Sequence, residues 1–375
     1  MSRVILLAGH GGSGTSTLAA ATVDQARDLG ARVVLLDGSG ARGVRGPGSL
    51  DHVADHVADH VADHDPDHVV ELAAGTLGRL LLHAGADPVV PQAWSDLPGV
   101  ALARLWQEIA LARRSADLVV VDVGSLVRVR ELVALPGVLV RLLDASLTPR
   151  AAMWRGSAGE GGLFESLSEA RVDAMAWLSI ATAETTSVRL VARPKPDSAD
   201  AVLRTGGVLA MLGIQLEGVI VNRFPRRRDD APSAVRRQAR EALAVLQEGL
   251  PGIPVWRSTS RLRPVPKGHA AADIIPATGS GPTLRDRDLA AIRDGVVEGA
   301  DEYLLTVPLV PVVRDEARVG VQGHHLVVAF DGVHAFAALP PVLRRCIPRE
   351  ARRGPDGLVI RWSPDQDVWP GERAS

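Results

Sequence analysis

Cysteine is nearly absent from this chain. Among 375 residues only Cys346 carries a thiol, which rules out an intramolecular disulfide and suits a reducing compartment. Lysine is almost as scarce: of 42 basic residues only Lys195 and Lys267 are lysines, so the positive charge is carried by arginine. Aromatic residues make up 3% of the chain, with Tyr303 the sole tyrosine. Charge of either sign is also lacking in excess. A net charge of −2 offers no counter-charge to a phosphate backbone, so nucleic acid is not an expected partner. No apolar run approaches the ~20 residues a spanning helix requires, which argues against an integral membrane protein. Met1 leads straight into an apolar strand rather than a basic and then apolar leader, so no secretory signal is expected. These absences point to a soluble, cytoplasmic protein. What is present is 46% apolar residues, enough for one large α/β domain with a small appended module.

Continuous apolar runs mark buried parallel strands at Val4–Ala8, Arg32–Asp37, Asp117–Asp122, Ala174–Ile180, Val188–Ala192 and Gly218–Val221. Helical patterns fall between them at Ser16–Leu29, Pro98–Arg114, Arg128–Leu143, Ser198–Leu212 and Ala234–Glu248. Alternation of this kind predicts a mostly parallel sheet with helices on both faces. A Gly/Pro/Ser stretch from Gly279 to Thr283 reads as a linker, followed by a helix to Tyr303. Beyond it, short alternating runs at Leu304–Val307, Arg318–Val321, His325–Phe330, Ala335–Ala338 and Leu358–Trp362 predict a small β-sandwich. The expected division is therefore 1–278, 279–303, 304–363 and a frayed tail over 364–375.

The chemistry-bearing stretch is Gly9-His10-Gly11-Gly12-Ser13-Gly14-Thr15-Ser16-Thr17. It stands between a strand and an alanine-rich helix start, and its glycine spacing is that of GxxxxGK[ST]. Such loops cradle phosphate on backbone N–H groups and on the helix N-terminus. Here Thr15 occupies the place of the lysine. Drift from Lys to Arg, general in this chain, explains neither Thr15 nor His10. A second unusual stretch is Asp51–His68, where an Asp-His pair recurs every four residues and sets His52, His56, His60 and His64 on one helical face. The i, i+4 spacing suits a transition-metal site, and a perfect short repeat equally suits expansion of a tolerant, solvated surface insertion.

Several stretches in order resemble the ArsA / guided-entry tail-anchored-targeting ATPases, the deviant Walker A branch of P-loop proteins. Gly9–Thr17 stands where that family has GKGGVGKTT, and Asp122–Pro136 (DVGSLVRVRELVALP) aligns with its DTAPTG motif and the helix ending in LP. Leu190–Ile214 (LVARPKPDSADAVLRTGGVLAMLGI) is similar to its strand ending in proline. Val219–Phe224 (VIVNRF) is similar to its VVNR, and Leu304–Trp362 to the small heat-shock-protein-like β domain of many bacterial members. The resemblance implies a P-loop NTPase-like fold working as a face-to-face dimer, binding ATP or ADP with Mg²⁺. Gly9, Gly11, Gly12, Ser13 and Gly14 would then hold phosphates and Ser16, with Thr17 after it, would ligate Mg²⁺. Asp122 would hold the metal's shell, and Asn222 and Arg223 would lie on the adenine side.

The departures fall on catalytic positions. His10 replaces the lysine that reaches the partner's phosphates, and Thr15 the loop lysine. The DPAHS switch falls on Ser39-Gly40-Ala41-Arg42-Gly43, so that Ser39 takes the place of its aspartate unless Asp37 serves after a two-residue slip. Thr-Gly of the second switch is Leu126-Val127. Phosphoryl transfer depends on cations and on a positioned nucleophile. With three such contributions removed, at roughly a few kcal/mol each, hydrolysis is expected to fall by several decades while binding survives. The expected function is a hydrolysis-impaired, nucleotide-binding half of a homo- or hetero-dimer with a related ATPase. The alternatives are an active ATPase driving anion transport or targeting of a protein client, with Arg42 or Arg45 assisting, and a metal-binding or chaperone-like scaffold. Cys346 alone cannot form the thiolate cluster that binds arsenite.

Overall fold

The structure, a computed structural model, describes residues 2–38, 98–147, 161–225, 231–259, 296–298, 302–354 and 357–365. By the density of internal contacts, Met1–Arg189 supplies the described part of one compact unit, and Leu190–Ser260 with Gly279–Ser375 that of a second.

In the first unit the chain runs β1 (Arg3–Gly9), α1 (Thr15–Asp28), β2 (Val33–Asp37), α2 (Pro98–Ala112), β3 (Leu118–Ser125), α3 (Leu126–Ser146), α4 (Gly161–Ala181) and into β4 (Thr186–Ala192). The second unit adds α5 (Pro196–Met211), β5 (Leu216–Phe224), α6 (Ser233–Gly249) and β6 (Val255–Thr259). The six strands form one all-parallel sheet in the order β2-β3-β1-β4-β5-β6, flanked by helices. The apolar runs are continuous because these strands are covered on both faces: Val4 to Ala8 and Val119 to Val121 are fully buried. The strand order also has a consequence for ligands. The crossover after β1 runs toward β2, whereas those after β2, β3 and β4 run the other way. With right-handed crossovers, the loops leaving β1 and β3 part to opposite faces and leave a crevice beyond the strands' carboxyl ends.

Two sequence expectations are corrected. Ala174–Ile180, expected as a strand, lies in the last third of α4. Leu167, Ala170 and Ala174 are buried at helical spacing against Leu143 of α3, and a short apolar run is as compatible with a buried helix as with a strand. The sixth strand is instead Val255–Thr259 (VWRST), too short and polar to stand out. Val296–Glu298, expected within the helix leading to Tyr303, is strand β7, paired antiparallel with β8.

The rest of the second unit is β7 (Val296–Glu298), β8 (Tyr303–Pro308), α7 (Pro311–Glu316), β9 (Arg318–Gln322), β10 (His325–Phe330), β11 (Val333–Ala338), a 3₁₀ turn at Val342–Arg345, β12 (Cys346–Arg353) and β13 (Gly357–Pro364). These strands form two antiparallel sheets, β11-β10-β9 and β12-β13-β8-β7. Strict alternation buries Leu326, Val328 and Phe330 from one and Leu358, Ile360 and Trp362 from the other.

This β part seats on α5. A Cβ at Gly207 would lie 2.6 Å from Val313 Cγ2 and 3.0 Å from Val312 Cγ1, so only glycine admits α7 this close. One turn earlier, Arg204 donates to Glu316 at 2.7 Å and to Asp331 at 3.1 Å, with its guanidinium 5.3 Å from the Phe330 ring centroid.

Candidate functional site

β1 ends at Gly9 and the chain turns tightly into α1. Two residues of the turn, Gly12 (φ +72°) and Gly14 (φ +88°), take the left-handed conformation that favours glycine. Ser13 N–H donates to the His10 carbonyl at 2.8 Å, closing the turn on itself. Gly14 caps α1 without a side-chain bond, and the first helical bond runs from Leu18 N–H to its carbonyl at 3.0 Å. The N–H groups of Thr15, Ser16 and Thr17 therefore stand in the first turn, where an α-helix supplies no acceptor. A Cβ added at Gly11 would meet nothing within 4 Å, so the loop backbone is open there to close approach.

The two positions that lost lysine behave differently. Thr15 is buried, and its hydroxyl lies 2.9 Å from the hydroxyl of buried Ser13, so it bonds within the loop. His10 is half-buried, and its Nδ1 is shut from solvent without a hydrogen-bond partner.

Beside the loop lies the carboxyl end of β3. Because β3 sits between β1 and β2, Asp122 is register partner to both Leu7 and Asp37. An irregularity follows at once, since Ala8 pairs with Gly124 and Gly9 with Ser125, leaving Val123 as the extra residue. Gly124 (φ +79°) turns its N–H back onto Asp122 Oδ1 at 3.1 Å. Asp122 is only 6% exposed. Burial pushes its carboxyl above the usual range. Hydrogen bonds donated by the Ser16 hydroxyl and the Gly124 amide draw it back, and the charge of Asp37 pushes it further up. Ser16, Asp122 and Asp37 thus converge where the loop meets the sheet. They form a set of hard oxygen donors of the kind Mg²⁺ accepts, and a cation there would relieve the repulsion between the two carboxylates.

Asn222 and Arg223 belong to the second unit, at the carboxyl end of β5. Arg223 holds φ +58°, uncommon for a side-chain-bearing residue, and its N–H is taken by Asn222 Oδ1 at 2.8 Å. The pairing of β5 with β6 is irregular over the same residues. Ser39, Arg42, Arg45, the histidines 52, 56, 60 and 64, and Arg226–Arg228 lie outside the described residues. Among the described residues no group of three or more His, Cys, Asp or Glu is placed to hold a metal, and no helix is long and apolar enough to cross a membrane.

Sequence reasoning passed over Arg128. It stands in the first turn of α3, which Ser125 caps by accepting from Arg128 N–H at 3.1 Å, and its Nε is buried without a hydrogen-bond partner. Its signal in the sequence was position alone, three residues past the end of the strand that carries Asp122.

No protein-family model matches the chain. It is similar from end to end to "Uncharacterized protein SCO2128" of Streptomyces coelicolor, 31% identical over 406 aligned residues that cover 99% of this chain and 100% of that one. It is also similar to "Protein Rv2184c" of Mycobacterium tuberculosis, 25% identical over 430 aligned residues that cover 98% of this chain and 97% of that one. Both likenesses extend over both units.

Proposed function

We propose, from the premise that the chain belongs to one family with SCO2128 of Streptomyces coelicolor, that it is an ArsA-like P-loop protein that binds ATP or ADP with Mg²⁺ and hydrolyses it poorly. The observation that carries this reading is the approach of Ser16, at the foot of the loop, to the buried carboxyl of Asp122. These are the two protein groups that hold Mg²⁺ in P-loop enzymes, one from the loop and one from the neighbouring strand. Loop amides and the first turn of α1 would receive the phosphates. When bound, the metal neutralises charge on the phosphate oxygens.

The same geometry supports poor hydrolysis. Thr15 spends its hydroxyl on Ser13 and offers no cation, and His10 is too short to reach as a lysine does. Such a protein serves as the regulatory or structural half of a homo- or hetero-dimer with a related ATPase in the cytoplasm. A second reading, an active ATPase, draws on one observation: the charge of Asp37 acts on Asp122, and a carboxylate so near would be available to position a water. Calorimetric titration of the full chain with Mg–ATP, paired with a phosphate-release assay, separates them. The expected result is binding with turnover at background. Turnover at ordinary enzyme rates would favour the second reading, and no binding at millimolar nucleotide would end both.

A further inference from the structure

Both lysines have gone from the loop, yet phosphate recognition in a dry site needs a cation or an oriented donor. The described residues offer one that the resemblance does not supply. Gly9, where the loop begins, is the register partner of Ser125, where α3 is capped. Adjacent strands lie about 4.8 Å apart, and three helical residues add about 4.5 Å of rise. The backbone of Arg128 therefore stands within about 10 Å of the loop's first residue, inside the combined reach of an arginine and a phosphate chain.

Burial makes the placement informative. Buried polar side-chain atoms are nearly always satisfied, and an exception asks for a missing partner. Two of the exceptions flank this junction: Nδ1 of His10 on the loop side and Nε of Arg128 on the helix side. Among the described residues no carboxylate pairs with Arg128, whereas just before the same strand begins Arg32 is held by Asp117 in a fork. An anion at the junction would give the Arg128 guanidinium the partner that its Nε lacks. The N-terminal turn of α3, 21 residues long, adds a partial positive charge of its own.

We propose that Arg128 contacts the terminal phosphate of a bound nucleoside triphosphate, in place of the absent loop lysines, and so sets preference for triphosphate over diphosphate. The proposal rests on the nucleotide-binding reading above. Two consequences distinguish it from a merely structural arginine: the effect is confined to the terminal phosphate, and a lysine at 128 restores part of it.

The test is calorimetric titration of the full chain with ATP, ADP and AMP in the presence of Mg²⁺, using the parent protein, Arg128→Gln and Arg128→Lys, with thermal melting to confirm that each variant is folded. Arg128→Gln is expected to weaken ATP at least about tenfold and ADP far less, with Arg128→Lys in between. Should the parent bind no nucleotide, the nucleotide-binding reading itself falls, and this proposal with it. Where the parent binds and Arg128→Gln leaves the ATP-to-ADP ratio unchanged, the assignment of Arg128 alone is wrong. Equal loss of ATP and ADP overturns it as well, because the contact would then not be with the terminal phosphate.

Discussion

Asp117, which immediately precedes β3, and Asp122, in its carboxyl half, experience opposite environments. Asp117 is exposed and gripped at two oxygens by Arg32, whose N–H, Nε and Nη2 all donate to it at 2.8–3.1 Å. Those bonds hold its carboxyl down at about 2. Asp122 is buried and meets a hydroxyl, an amide and the field of a second carboxylate, and its carboxyl is raised. The amino end of the strand is thus neutralised within the chain, while the carboxyl end is left wanting a cation. A buried carboxylate raised by its surroundings and placed at the carboxyl half of a parallel strand agrees with the proposed binding site.

The comparison breaks most directly by deleting the unmatched carboxylate. Asp122→Ala is expected to weaken Mg–ATP about tenfold or more, whereas Asp117→Asn leaves affinity unchanged. Stripping metal with EDTA should reproduce the first loss in the parent and add nothing in Asp122→Ala. Equal effects of the two substitutions in a calorimeter would erase the distinction.

Next in size is a change that makes the two ends alike. Thr15→Lys returns a cation to the loop beside Asp122, at the expense of about 1 kcal/mol for the lost bond to Ser13. ATP affinity should rise roughly tenfold. Phosphate release should remain slow, because the switch residues are still absent.

Stability against pH sharpens the contrast without any ligand. A raised native pKa means that the folded state holds its proton longer than the unfolded chain. Stability therefore falls as pH climbs from the ordinary carboxylate range through the raised one. Metal-free Asp122→Asn should accordingly melt higher than the parent at neutral pH, with the gain closing below pH 3.8, the ordinary value for the group. Asp117 behaves in the mirror sense. Its contribution is present above 3.8 and lost as pH falls toward about 2. Asp117→Asn should melt lower at neutral pH and match the parent near pH 2. Parallel rather than opposed curves would contradict both assignments.

The smallest effect concerns Asp37. Asp37→Asn removes one charge acting on Asp122, so the gain from Asp122→Asn should shrink in the double variant by a few tenths of a kcal/mol or more. Strict additivity of the melting shifts would show that the two carboxylates do not feel each other.

Much of the α/β fold was readable because buried parallel strands carry unbroken aliphatic runs, as in Val4–Ala8 and Leu118–Val121. The loop was readable because its glycines are spaced by the geometry of a strand-to-helix turn. The approach of Ser16 to Asp122 is not legible in the residues themselves, since their sequence separation says nothing of contact. What misled was chemistry that serves two structures equally. Ala174–Ile180 is apolar enough for a strand but carries its small residues at helical spacing. β12 (CIPREARR) escaped notice because an exposed edge strand protects itself with arginine and proline, and so loses the alternation by which strands are recognised. Arg128 was hidden for another reason. Its importance lies in an unanswered nitrogen, and no pattern of residue types records whether a donor has found its acceptor.

The seat of the β part on α5 bears on how this protein can be handled and how it can evolve. Gly206 packs toward Leu216 and Leu250, while Gly207 beside it admits Val312 and Val313. One helix is thus shaved on adjoining sides to fit two neighbours. A gene cut after Thr259 would bare the shaved face and strip Arg204 of both its carboxylates. The truncated product is expected to precipitate or be cleared by proteases rather than behave as a tidy half. The β part is accordingly not a cassette to be lost or exchanged between genes; selection must keep it with α5 or discard the two together.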